Sequence, residues 1–317
     1  MRKLLIGYDG SEHGDAAIDD LQWAGLPQDL EAIVLTVADA FFPPPVDAKD
    51  WGTSPFDEKV KKRAEEMQAR AMKARAEADS VAHRGATRLQ EFFPSWTVRA
   101  ETDVNWPGWG IILKAEEWGA DLVVIGAGKH SFLERMQSGS VLRKVVGACK
   151  RSVRVGRPSP RHSETSVRII IGLDGSQDAE FAMEAVAERA WPEGSEAHLI
   201  TVLDSRLSFL TPSLIPGLAR WSSAADSADD QAWIDRMMKA ATDKLQNAGL
   251  KISCEVVRGE PSQRLLDAAV DWQADCLVIG ARGLSGIERF LIGSVSSDVA
   301  VRANCSVEVV RPQLSRP

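Results

Sequence analysis

Arg168-Ile-Ile-Ile-Gly-Leu-Asp-Gly-Ser176 repeats a stretch near the start of the same chain, Lys3-Leu-Leu-Ile-Gly-Tyr-Asp-Gly-Ser11, at an offset of 165 residues. Leu35-Thr-Val37 returns as Ile200-Thr-Val202 at the same offset. Further on, Leu122-Val-Val-Ile-Gly-Ala127 returns as Cys276-Leu-Val-Ile-Gly-Ala281, and Gly139-Ser-Val141 returns as Gly293-Ser-Val295, now 154 residues away. The offset falls by eleven, so the first copy carries eleven extra residues between Val37 and about Thr97. Matching blocks in the same order mark a duplication. A chain of 317 residues has the length of two domains. We expect one at 1–156 and one at 166–317, joined by Arg157-Pro-Ser-Pro-Arg-His-Ser-Glu-Thr165, whose prolines and small polar residues suit a linker.

Each copy alternates apolar runs with longer amphipathic stretches. In the second copy the pattern predicts strands at about 166–173, 196–203, 250–257, 274–280 and 306–311. Helices follow at about 176–190, 228–248, 260–273 and 294–303. Ile169-Ile-Ile171 is apolar without alternation, as a strand must be when helices cover both sheet faces. Strands alternating with helices through right-handed crossovers make an open, five-stranded parallel sheet per domain. In the first copy, Phe41-Phe-Pro-Pro-Pro45 onward to about Pro55 reads as loop, and Lys59 to about Phe92 as one long charged helix with a solvated face. The region from Ser205 to Ala225 is irregular too. Both segments follow the second strand of their sheet, where covering loops belong.

Composition narrows the function. The net charge of −7 excludes a general nucleic-acid or membrane-surface binder, which would carry a basic excess. The four-residue apolar run after Met1-Arg-Lys is too short for a signal peptide or a membrane span, so the expectation is a cytoplasmic protein. Cys149, Cys254, Cys276 and Cys305 form no Cys-x-x-Cys pair and read as small, mostly core residues in a reducing compartment. No metal site is expected. The ten tryptophans, Trp51, Trp221 and Trp233 among them, read mostly as core or lid packing.

In doubly wound sheets, ligands bind beyond the carboxyl ends of the strands, where strand order reverses. Three elements of the second copy arrive there: Asp174 after the first strand, Val202 at the end of the second, and the loop after the fourth. That loop runs Gly280-Ala-Arg-Gly283-Leu-Ser-Gly-Ile-Glu-Arg-Phe-Leu-Ile-Gly293-Ser294-Val-Ser296. Gly280 and Gly283 allow close backbone approach. Gly293-Ser294 stands at a helix N-terminus, where unpaired N–H groups and the dipole attract anions. Ser294 and Ser296 add hydroxyls, and Asp174 offers an acceptor for ribose hydroxyls or an exocyclic amine. These groups suit a polyphosphate. A P-loop fails because Gly128-Lys129 is followed by His130, and a dinucleotide fingerprint fails because Ser131 stands where Gly126-Ala-Gly128 needs its third glycine.

The spacing Gly-x2-Gly-x9-Gly-Ser, between an apolar strand and a helix, resembles the ATP-binding motif of universal stress proteins. The resemblance covers nearly the whole chain in two copies, and includes the opening Ile-Gly-Leu-Asp-Gly-Ser176 and the closing Val-Glu-Val-Val310 of the second. It implies a Rossmann-like fold of the adenine nucleotide alpha hydrolase-like type, strand order 3-2-1-4-5, and a nucleotide-dependent stress-response module. Carried over by position, it puts the nucleoside on Asp174 and the Val202 backbone, beside Gly172. Ribose and phosphates of ATP fall on Gly280, Gly283, Gly293, Ser294, Val295 and Ser296, with any Mg2+ held mainly by the phosphates.

The first copy departs from that pattern. Its loop starts at Gly126 and retains Gly139 and Ser140, and Asp9 and Val37 are kept, but Lys129 replaces the second glycine and Leu142 the last hydroxyl. Weaker or absent binding is expected there. If position 129 required a positive φ, lysine would add strain of order 1–3 kcal/mol.

Hydrolysis needs a positioned base. His130, His162 and His198 fall in the altered loop, the linker and a strand, and Glu134 and Glu288 read as partners of the adjacent arginines. A weak ATPase at most is expected, so the open alternatives are a slow ATPase or nucleotide-transfer enzyme and a nucleotide-independent scaffold. The closing strands Ser152-Val-Arg-Val155 and Ser306-Val-Glu-Val-Val310 carry alternating charge and read as sheet edges that invite pairing. They are expected to pair within one chain, with Arg154 and Glu308 at equivalent positions, as an intramolecular pseudo-dimer. A further homodimer is left open.

Overall fold

A computed structural model describes residues 1–39, 55–127, 135–159, 165–203, 228–283 and 292–312. The loop expected at 41–55, but for Pro55, and the irregular segment from Ser205 to Ala225 lie outside them. In the first half, chain order is β1 (Lys3–Gly7), α1 (Glu12–Asp20), β2 (Glu31–Ala38), α2 (Pro55–Phe92), β3 (Thr97–Val104), α3 (Pro107–Trp118), β4 (Leu122–Gly126), α4 (Arg135–Ala148) and β5 (Ser152–Gly156). The second half repeats it as β6 (Arg168–Gly172), α5 (Gln177–Ala187), β7 (Glu196–Leu203), α6 (Ala228–Asn247), β8 (Lys251–Arg258), α7 (Pro261–Asp271), β9 (Cys276–Gly280), α8 (Ser294–Arg302) and β10 (Ser306–Val310).

Local chemistry sets these boundaries. Ser11 and Ser176 cap α1 and α5 by accepting from the N–H of Gly14 and Ala179. The glycine before each serine, Gly10 or Gly175, has φ of 75° or 77°, a left-handed conformation that L side chains rarely adopt. Glu260 caps α7 through its carboxylate, with Pro261 following as the first helical residue. Gly119 ends α3 in the left-handed conformation.

Within each half the strands are parallel, and their spatial order is β3-β2-β1-β4-β5 and β8-β7-β6-β9-β10, so both sheets follow 3-2-1-4-5. Leu4, Leu5, Ile6, Ile169, Ile170 and Ile171 are fully buried, because helices cover both faces of the central strands. β5 and β10 then join antiparallel, pairing Val155 with Val307, Arg154 with Glu308 and Val153 with Val309, to give one ten-stranded sheet. The closing strands are therefore central, and the outer edges are β3 and β8. Burial follows: on one face an apolar core runs without a break from Ile111 and Val145 across Val153 and Val307 to Val299 and Leu265. On the opposite face each half keeps its own core.

Three findings go beyond the sequence reading. Arg154 and Glu308, paired across the two closing strands, are both buried, each 1% exposed. Cys149, Cys276 and Cys305 are buried, but Cys254 is exposed on β8. Trp106, the N-cap of α3, and Trp109 within that helix are exposed. Among the described residues no helix is long and apolar enough to cross a membrane.

Candidate functional site

The site of the second half begins where β6 ends. Leu173 is held to β7 from two sides: its N–H donates to Ile200 O (2.9 Å), and its carbonyl accepts from Thr201 Oγ1 (2.9 Å). Asp174 follows, and its Oδ1 accepts from the N–H of Ser176 (2.9 Å), an Asx turn that leads into α5. Gly175 is required twice over: its φ is positive, and a Cβ there would lie 2.3 Å from the Trp233 ring of α6.

The loop after β9 is fastened to this turn. Arg282 donates from Nε to Asp178 Oδ2 (2.9 Å) and from Nη2 to Asp178 Oδ1 (2.7 Å), while its backbone N–H reaches Oδ2 at 3.1 Å. This fork is the geometry that suits a guanidinium–carboxylate pair. Asp178 is 4% exposed, and its hydrogen bond holds the Arg282 pKa above the ordinary value against the opposing effect of burial. Ser176 completes the fastening by donating to the carbonyl of Arg282 (3.2 Å). Sequence reading missed Asp178 and Arg282, though a signal was present. The equivalent residues of the first copy are His13 and Gly128, so both members of the pair change together.

The predicted glycines divide by role. A Cβ on Gly280 would come within 2.6 Å of the Asp178 backbone, and one on Gly172 within 2.9 Å of Ile279, so both allow close packing of the scaffold. Gly283 is different: a Cβ there would lie 2.7 Å from Asp174 Oδ2, which places the loop backbone directly across from the carboxylate. Its φ is outside the left-handed region, so what limits the position is space beside Asp174 and not backbone strain. Gly293 returns the loop by donating to Ala281 O (2.8 Å) and stands as N-cap of α8, where a glycine has no side chain with which to cap the helix. Ser294 opens α8 and is exposed, Val295 is half-buried, and Val202 lies half-buried in β7. The Ser296 hydroxyl, expected to face an anion, donates to Gly280 O (2.7 Å) and is buried, so it stitches α8 to the end of β9.

The first half is built on the same plan with other contents. A cavity of about 280 Å³ lies beyond β1, β2 and β4, lined in part by Tyr8, Asp9, Val37, Pro107, Gly126 and Leu142. Asp9 Oδ1 accepts from both the N–H (3.0 Å) and the hydroxyl (2.6 Å) of Ser11, so this serine bonds back to its own turn. Tyr8 donates to Asp15 (2.6 Å), and burial followed by that bond pushes its phenol up to about 12. Gly126 packs against the backbone of α1, with a would-be Cβ 2.4 Å from His13 O. Gly139 and Ser140 fall inside α4, which begins at Arg135, whereas their equivalents Gly293 and Ser294 stand at the start of α8. Amides a full turn inside a helix bond within it and leave none for an anion. Lys129, His130, Glu134, His162, Glu288 and Arg289 lie outside the described residues. His198 bridges Ser253 (2.7 Å) and Glu255 (3.2 Å) between β7 and β8 and lies tilted against the Trp272 ring, a cross-strand tie.

Comparisons with known proteins agree with this architecture. The chain matches the Universal stress protein family over residues 1–157 and again over 166–311. A universal stress protein of Mycolicibacterium smegmatis is 24% identical over 315 residues, covering 98% of this chain and 97% of that protein. One from Methanocaldococcus jannaschii is 28% identical over 145 residues, 45% of this chain and 81% of its own length. Among solved structures, a universal stress protein from Archaeoglobus fulgidus superposes with a TM-score of 0.61 at 18% identity, covering 99% of this chain and 97% of that one, a likeness of fold. Two matched segments, one in each half of a duplicated 3-2-1-4-5 sheet, leave one assignment: the chain belongs to the universal stress protein family.

Proposed function

We propose that the chain is an ATP-binding stress-response regulator of the cytoplasm, in which the second half, 166–317, holds the nucleotide and the first, 1–156, is its altered counterpart across the linker 157–165. One observation carries the reading: Gly283 is held across from the Asp174 carboxylate, where a Cβ would lie 2.7 Å from Oδ2, beside a helix α8 that starts on a glycine N-cap. In this reading Asp174 and the Val202 backbone take the nucleoside. Gly283, Gly293, Ser294 and Val295 offer main-chain donors to ribose and phosphates, and the helix dipole adds to the attraction. Gly172, Gly280 and Ser296 shape the cradle from behind. Mg2+ enters with the phosphates. The groups named here bind and none of them is assigned as a base, so in this reading ATP acts as a signal and turnover is slow at most. The β5–β10 ladder makes the monomer a pseudo-dimer.

Calorimetric titration with ATP tests this. The expected result is binding to the unaltered chain and its loss in Gly283→Lys, with mass spectrometry finding adenine nucleotide in the protein as purified. Unchanged affinity in Gly283→Lys would overturn the site. The cavity beside Asp9 favours a second, weaker reading, in which the first half takes a nucleoside without a triphosphate. A second molar equivalent of adenosine bound, retained in Gly283→Lys, would support it.

A further inference from the structure

At the centre of the β5–β10 ladder Arg154 stands directly opposite Glu308. Each charge is also matched within its own half. Asp20, ending α1, accepts from Arg154 Nε (2.6 Å) and Nη2 (3.1 Å). Glu308 accepts from both terminal nitrogens of Arg189, which follows α5, at 3.0 Å for Nη1 and closer for Nη2. Across the seam Arg154 Nη1 donates to Glu308 Oε2 (3.2 Å). The outer members cross as well: Ser306 of β10 donates to Asp20 (2.7 Å), and Arg189 donates to Ala24 O (3.1 Å).

Read from first half to second, the signs run minus, plus, minus, plus. Burial works to raise the Glu308 pKa, but Arg189 and Arg154 more than reverse it, so the carboxylate stays ionised. Cys276, 3.3 Å from Arg154, is a neutral thiol, its pKa pushed up to about 12 chiefly by burial. The thiol therefore adds no charge to the row.

We infer that this alternating row selects the partner of each closing strand, so that a β5 of this type accepts a glutamate-bearing β10 and refuses a second β5, while β10 refuses a second β10. The inference rests on the pseudo-dimer reading. A like pairing would set Arg154 opposite Arg154, or Glu308 opposite Glu308, and the row would read minus, plus, plus, minus or its inverse. Like charges directly opposite on neighbouring strands repel, and a dry seam screens them little. The partner that fits each edge is the complementary half, of the same chain or of another copy.

A charge-reversal cycle in the intact chain tests it. Reversing the first half (Asp20→Arg with Arg154→Glu) or the second (Arg189→Glu with Glu308→Arg) sets like charges at the seam. Each should lower the urea midpoint. Combining all four restores alternation with opposite polarity and should recover most of the summed loss. Mixing the two half-reversed chains should also yield a 1:1 two-chain complex on native mass spectrometry, since each supplies the edge the other lacks. A four-site variant no more stable than the two losses added together overturns the selection, as do half-reversed chains with unaltered midpoints. Hydrogen exchange on the unaltered chain separates the two levels. Fast exchange throughout β5 and β10 removes the pseudo-dimer itself, whereas slow exchange there without four-site recovery removes the charge selection alone.

Discussion

The two halves share a sheet order and an Asp-Gly-Ser turn, yet they use the same serine for opposite ends. Ser11 turns its hydroxyl back to Asp9, while Ser176 sends its hydroxyl forward to Arg282 in the loop after β9. Asp178 adds a forked pair to that loop, where the first copy has His13 and Gly128. The helix after the loop starts at Ser294 in the second half but a turn earlier than the matching serine in the first. Fastening the loop keeps its glycine backbone beside the carboxylate. A duplicated fold can thus keep its scaffold while a few contacts make its two loops differ.

Converting one half toward the other puts this to the test. The largest effect is expected from Gly283→Lys, which fills the space beside Asp174: a loss of ATP affinity of about a hundredfold or more, near 3 kcal/mol, by calorimetry. Next, Asp178→His with Arg282→Gly gives the second loop the residues of the first. Losing a charged, mostly buried hydrogen-bonded pair should cost about 1.5–3 kcal/mol of stability, read in urea unfolding, and weaken ATP about tenfold. Ser296→Leu, copying Leu142, leaves the Gly280 carbonyl without its hydroxyl donor and should lower stability by about 1–2 kcal/mol, with a smaller change in affinity. The smallest effect should come from Lys129→Gly. It removes one obstacle in the first half while α4 still encloses Gly139 and Ser140, so a gain in ATP affinity of about threefold or less is expected by titration. A gain as large as the loss in Gly283→Lys would mean that the lysine alone separates the halves.

Much of this was legible in the residues. The runs Leu4–Ile6 and Ile169–Ile171 announced doubly covered strands, and the spans expected at 196–203 and 228–248 match β7 and α6 to within a residue. The Asp-Gly-Ser repeat holds a left-handed glycine and a capping serine in both copies. Position in the loop did not separate glycines that face a site from those that pack. Gly280 and Gly283 read alike, yet one touches the α5 backbone and the other the Asp174 carboxylate. Ser296 likewise read as an anion donor, because its bond to a strand carbonyl sixteen positions away is a contact in space.

Periodicity and repetition within the chain determined the duplicated α/β architecture, the strand and helix spans and the place of the loop, since these follow from local backbone preference and the need to bury apolar faces. Tertiary structure alone decided that Arg154 and Glu308 are buried at a seam, that Arg282 answers to Asp178, and that one copy of the glycine loop is tied across a carboxylate. Charges take their meaning from what stands opposite them after folding, and for these residues the opposite group lies about a hundred or more positions away along the chain.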